Sequence, residues 1–134
     1  RQMCIRDRFI TFYDLRNKDV PLPVSTYMPF DIDPHEMRPL DSKWGQTGSR
    51  HGAHNIWLDM EKNDLIYIAW FNAGLRIIDW SNPFKPREVG SYIPAGNKER
   101  CCPQSNDVYV DRETGLIYMS DRWGLGLHIL EYIG

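Results

Sequence analysis

His51 and His54, three residues apart, are the first side chains whose type and spacing bear on chemistry. On an extended loop they can share a transition metal, copper or zinc, with His35 or the adjacent Glu36 as a third ligand. Such a centre would serve a metal-dependent oxidoreductase or hydrolase. The competing reading is a pair of hydrogen-bonded or solvated imidazoles that need no metal. Asp31-Ile32-Asp33 has the spaced carboxylates of a calcium loop but lacks its glycine and distal glutamate.

Other catalytic chemistry finds less footing. There is no Gly-x-Ser-x-Gly elbow, and neither Ser49 nor Ser105 has a spacing that names a histidine partner. No glycine-rich phosphate loop follows a strand. Cys102, before Pro103, carries no sequence cue for a lowered pKa. Adjacent Cys101 and Cys102 close only a strained ring and offer a metal two ligands at most, so they read as loop thiols.

Composition narrows the classes further. The 134 residues are 42% apolar and 13% aromatic, which excludes a disordered chain. A net charge of −2 without any like-charged block excludes the footprint of a nucleic-acid partner. No run approaches the ~20 apolar residues of a membrane-spanning helix.

The elements that must position these residues come from a repeat. His54-Asn55-Ile56-Trp57-Leu58-Asp59, Leu65-Ile66-Tyr67-Ile68-Ala69-Trp70 and Gly74-Leu75-Arg76-Ile77-Ile78-Asp79 follow one another. The series returns as Asn106–Asp111, Leu116–Asp121 and Gly126–Glu131, with offsets of 51 or 52 residues. An earlier half-copy, Phe12-Tyr13-Asp14 with Asn17, Pro21, Val24, Tyr27 and Pro29, matches Ile77 to Pro94 at a constant offset of 65.

Each full unit reads as four short strands bounded by Asp, Asn, Gly and Pro. Leu65–Trp70 and Gly74–Trp80 are apolar on both faces, which a sheet with one wet face would not be. The expectation is an all-β partial β-propeller of about two and a half four-stranded blades. Residues 9–29 are the last strands of a truncated blade, 30–53 a long inter-blade loop, 54–94 a complete blade and 95–134 a C-terminal blade. Residues 1–8 resemble a translated sequencing adaptor. Propellers usually close with roughly four to eight blades, so the chain reads as a C-terminal fragment whose parent supplies further N-terminal blades.

Gly74-Leu75-Arg76-Ile77-Ile78-Asp79-Trp80-Ser81-Asn82-Pro83, with Pro86 and Val89-Gly90-Ser91-Tyr92, resembles the LVIVD-repeat family of bacterial β-propellers. The resemblance implies a propeller fold and a periplasmic or extracellular location, and it assigns no reaction. A more distant likeness to selenium-binding-protein propellers, which are similar to methanethiol oxidases, implies histidine-bound copper.

Propeller geometry then groups the polar residues. The loop leading into each first strand and the loop joining strands two and three open on one face. Arg50, His51, His54 and Asn55 belong to the first set, as do Gln104, Ser105, Asn106 and Asp107. Trp70, Phe71 and Asn72, with Asp121, Arg122 and Trp123, belong to the second. Together they form a candidate mouth for a small-molecule or protein ligand. The alternative is structural: Asn and Asp as turn formers, Trp70 and Trp123 as packing between blades. The main expectation is a non-enzymatic binding scaffold. His128, equivalent to Arg76, is expected between blades or near solvent, away from the mouth.

Overall fold

The computed structural model describes residues 9–29, 32–33, 38–39, 51–59, 64–100 and 102–134. The chain is all-β, with a three-residue 3-10 turn at Phe71–Ala73 as the sole helical element among the described residues. Eleven strands form four antiparallel sheets there. The first sheet pairs β1 (Ile10–Asp14) with β2 (Leu22–Tyr27), and a minimal ladder pairs β3 (Ile32–Asp33) with β4 (Arg38–Pro39). The middle sheet is a four-stranded meander: β5 (Ala53–Leu58), β6 (Leu65–Trp70), β7 (Gly74–Asp79) and β8 (Arg87–Tyr92). The last sheet is a three-stranded meander of β9 (Ser105–Val110), β10 (Ile117–Asp121) and β11 (Leu127–Leu130).

The middle and last sheets share one register. Tyr67 stands opposite Trp57 and Ile77, while Tyr118 stands opposite Tyr109 and Ile129. The one-residue slip between repeats is absorbed in the hairpin turns. Aspartates closing the strands build those turns. Asp14, Asp79 and Asp111 each accept the backbone N–H two residues on, from Arg16, Ser81 and Glu113. The Arg87 guanidinium and the Ser81 hydroxyl and N–H hold the Asp79 carboxyl down at about 2.

Strand alternation sends successive β6 side chains to opposite faces. Ile66, Ile68 and Trp70 join Ile78 against Phe12 and Tyr27 of the first sheet. Tyr67 and Ala69 join Leu75 and Ile77 against Val108, Val110, Ile117 and Met119 of the last. The middle sheet is therefore buried on both faces between its neighbours. Each fully buried aliphatic side chain stabilises by about 1.5–3 kcal/mol, whereas an exposed ion pair gives about 0–1 kcal/mol. Apolar burial holds the stack.

Two polar ties fix its register. Arg76 is 1% exposed, donates from Nε to the Ala73 carbonyl at 2.9 Å, and pairs with Glu88 at 3.3 Å. Glu88 also accepts the Tyr27 hydroxyl of the first sheet. Asp59, at the end of β5, pairs with Arg112 beyond β9 at 3.1 Å.

Exposure follows position in the stack. Leu75 and Ile77 are 2% and 3% exposed, but their equivalents Leu127 and Ile129 on the outer face of the last sheet are 60% and 58% exposed.

Candidate functional site at the ends of the inner strands

Bulges shape the beginnings of both inner strands. On β5 the register runs from Ala53 opposite Trp70 to Asn55 opposite Ala69, so His54 is the extra residue. On β9 it runs from Ser105 opposite Asp121 to Asp107 opposite Ser120, so Asn106 is extra. A bulge re-aims the side chain it carries. The two bulges meet across the sheets: His54 Nδ1–H donates to the Asn106 carbonyl at 2.6 Å, and the imidazole lies 4.5 Å from the Phe71 ring. Because a carbonyl only accepts, the proton sits on Nδ1 and Nε2 keeps its lone pair.

His51 is held differently. Trp70 Nε1–H donates to its Nε2 at 3.2 Å, and its Nδ1–H donates to Asn72 Oδ1 at 2.6 Å. Both ring nitrogens are engaged, and the residue is buried. For His51 to join a metal set with His54 and His35, a metal would have to displace Trp70 or Asn72 from the ring. Arg50 and His35 lie outside the described residues. Among the described residues, no three His, Cys, Asp or Glu side chains stand close enough to share an ion.

The 3-10 turn explains how Asn72 reaches His51. Phe71 N–H donates to the Gly52 carbonyl at 3.1 Å, pinning the β6–β7 connection to the segment before β5. Gly74 closes the turn at φ +74°, where a Cβ would stand 2.1 Å from the Tyr92 carbonyl oxygen. Only glycine fits that approach.

The last sheet repeats the arrangement with other chemistry. The Gln104 N–H donates to Asp121 Oδ2 at 2.5 Å, and the Arg122 N–H donates to the Gln104 carbonyl at 3.0 Å. Asp121 Oδ1 accepts from the Trp123 and Leu125 backbones. The Asp121 carboxylate thus builds the turn. The Arg100 guanidinium stacks over the Trp123 ring, 5.5 Å from its centroid.

The residues grouped by sequence separate into two kinds. His51, Trp70, Asn72 and Asp121 hold the loops together, while Asn55 is half-buried on β5. His54, Asp107 and Arg122 are exposed, with half-buried Asn106 and Trp123 beside them. Asp64 lies at the opposite end, where its carbonyl accepts the Trp80 N–H at 2.7 Å. His128 is half-buried on β11 beside Tyr92. Sequence reasoning missed the Tyr27–Glu88–Arg76 tie. The available signal was the recurrence of Tyr27 as Tyr92 and of Arg76 as His128.

In comparison with protein families, the LVIVD repeat model matches residues 53–93. This segment is similar to an LVIVD repeat. The match coincides with the four-stranded middle sheet, an antiparallel meander. The last sheet repeats its register. No curated protein and no solved structure matches the chain. Among the described residues no helix is long and apolar enough to cross a membrane.

Proposed function

We propose that the chain is part of an LVIVD-type β-propeller whose loops leading into the inner strands form a non-enzymatic binding surface. The observation that carries this reading is the contact of the two bulges, His54 to the Asn106 carbonyl, which joins neighbouring LVIVD-like units at one end. Around it, the groups with chemistry to offer a ligand are the His54 Nε2 lone pair, the Asp107 carboxylate and the Arg122 guanidinium. A compact ligand with both donor and acceptor groups, or a polar loop of a protein, matches that set. The LVIVD resemblance supports a periplasmic or extracellular setting.

Amide-resolved NMR with a library of small polar compounds tests the binding reading. Shifts should concentrate at residues 54, 72, 106, 107 and 121–123. Shifts concentrated at the opposite end, around Asp64 and Trp80, would overturn it.

A further inference from the structure

We propose that Trp70 and Tyr27 form a buried one-electron relay: an oxidising equivalent taken up at the indole passes to the phenol and is held there as a neutral tyrosyl radical. The pair lies between the first and middle sheets, and its chemistry is independent of ligand binding at the mouth. Trp70 is fully buried and Tyr27 is 8% exposed. Their rings meet edge to face, with centroids 6.1 Å apart and planes at 87°. An electron crosses such a contact without any opening to solvent.

Each ring carries its own proton acceptor. The Trp70 Nε1–H donates to His51 Nε2 at 3.2 Å, and the opposite ring nitrogen is anchored on Asn72 Oδ1. The Tyr27 hydroxyl donates to the Glu88 carboxylate, which also lies 3.3 Å from the Arg76 guanidinium. An oxidised indole or phenol is a far stronger acid than its parent. Shedding the proton to a bonded base leaves a neutral radical in place of a buried cation, which is costly to hold. The repeat does not demand this chemistry. In the last unit Asp121 holds the place of Trp70, opposite Ser105 as Trp70 is opposite Ala53. There the N–H groups of Trp123 and Leu125 on the Asp121 carboxylate fix the connection without an indole at that place.

The reagent is a one-electron oxidant, metal-centred or peroxide-derived. Trp70 gives it one electron, and the Nε1 proton moves to His51 Nε2, leaving a neutral indolyl radical beside an imidazolium still bonded to Asn72. Tyr27 then gives one electron to the indolyl radical and its hydroxyl proton to Glu88. The imidazolium returns its proton to Nε1. In sum, one electron has left Tyr27 for the oxidant, the phenolic proton sits on Glu88, and Trp70 and His51 are restored.

The probe is photogenerated tris(bipyridine)ruthenium(III), with a cobalt(III) ammine as sacrificial electron acceptor, acting on the full chain. Electron paramagnetic resonance of freeze-trapped samples reads the radical. The expected result is a tyrosyl signal that outlives the radical of free tyrosine. It should vanish in Tyr27→Phe and persist in Tyr13→Phe and Tyr109→Phe, which remove two exposed phenols. Its rise should be slower in heavy water, because protons move with the electrons. Trp70→Phe should cut its yield, and Glu88→Gln, a poorer proton acceptor of the same shape, should shorten its lifetime roughly tenfold. Where Glu88→Gln unfolds the chain, Tyr27→Phe and the heavy-water measurement decide. Several results would overturn the proposal: a long-lived signal that survives Tyr27→Phe, one lost in Tyr109→Phe, undiminished yield in Trp70→Phe, or no tyrosyl radical outlasting that of free tyrosine.

Discussion

Gly74→Ala should destabilise the chain far more than Gly126→Ala, although the two glycines hold equivalent positions in the repeat. Gly74 has φ +74° and ψ −148°, and Gly126 has φ +88°, so both backbones resist a Cβ. A strained conformation of this kind costs about 1–3 kcal/mol for a non-glycine residue. At Gly126 nothing lies within 4 Å of the added atom, and the cost ends there. At Gly74 the Cβ would meet the Tyr92 carbonyl oxygen at 2.1 Å and Ile93 Cα at 2.8 Å. These are backbone atoms, so the end of β8 must move, adding about 1–3 kcal/mol of overpacking. The total for Gly74→Ala is then about 2–6 kcal/mol, a large share of the ~5–15 kcal/mol that holds a typical domain. Urea unfolding followed by tryptophan fluorescence measures both variants. The Trp70 indole N–H resonance should also shift in Gly74→Ala alone, because the turn that seats Asn72 on His51 ends at Gly74. Equal destabilisation by the two substitutions, or a larger effect at Gly126, would refute the close approach of β8 to that turn.

Glu88→Ala removes the carboxylate that pairs with the buried Arg76 guanidinium and should cost about 3–5 kcal/mol in urea unfolding; a loss below ~1 kcal/mol would mean the Arg76–Glu88 tie is not formed. His51→Phe leaves the Trp70 indole N–H and the Asn72 amide oxygen without their imidazole, each worth about 1–3 kcal/mol when buried, and hydrogen exchange at residues 71–73 should speed up. The folded Asp79 carboxyl titrates at about 2, held down first by Arg87 and then by Ser81. Its pKa is lower folded than unfolded, so its contribution is present above the unfolded value near 4. That contribution fades as pH falls toward 2. Asp79→Asn should therefore flatten the acid limb of the urea midpoint between pH 4 and 2, and an unchanged limb would contradict the assignment.

Strand limits and stacking were legible because both rest on local sequence. Leu65–Trp70 is a strand over those residues, since an unbroken apolar run after a polar turn leaves the chain few alternatives. Apolar residues at every position of β6 announced a sheet covered on both faces. Gly74–Trp80 ran one residue long: the strand ends at Asp79, whose carboxylate captures the Ser81 N–H and turns the chain. Roles that depend on distant partners were not legible. Arg76 is buried beside Glu88, which also accepts the Tyr27 hydroxyl, and no local spacing announces either partner. His51 and His54 looked equivalent, yet one is enclosed by Trp70 and Asn72 while a bulge turns the other outward. Asp121 looked like a ligand group but is occupied by backbone N–H donors. Spacing names residue types; hydrogen-bond partners decide which of them remain available.

Nuclear Overhauser contacts among methyl, aromatic and imidazole protons of the full chain test the central claim most directly. The claim is that three sheets stack in repeat order and bring the two bulges together at one end. The account predicts contacts from Ile66 and Ile68 to Phe12 and Tyr27, and from Tyr67 and Leu75 to Val108 and Met119. It also predicts contacts from the His54 ring to Phe71 and Asn106. Contacts from Ile66 and Tyr67 to the same neighbouring sheet, or from His54 to Asp64 and Trp80, would contradict it.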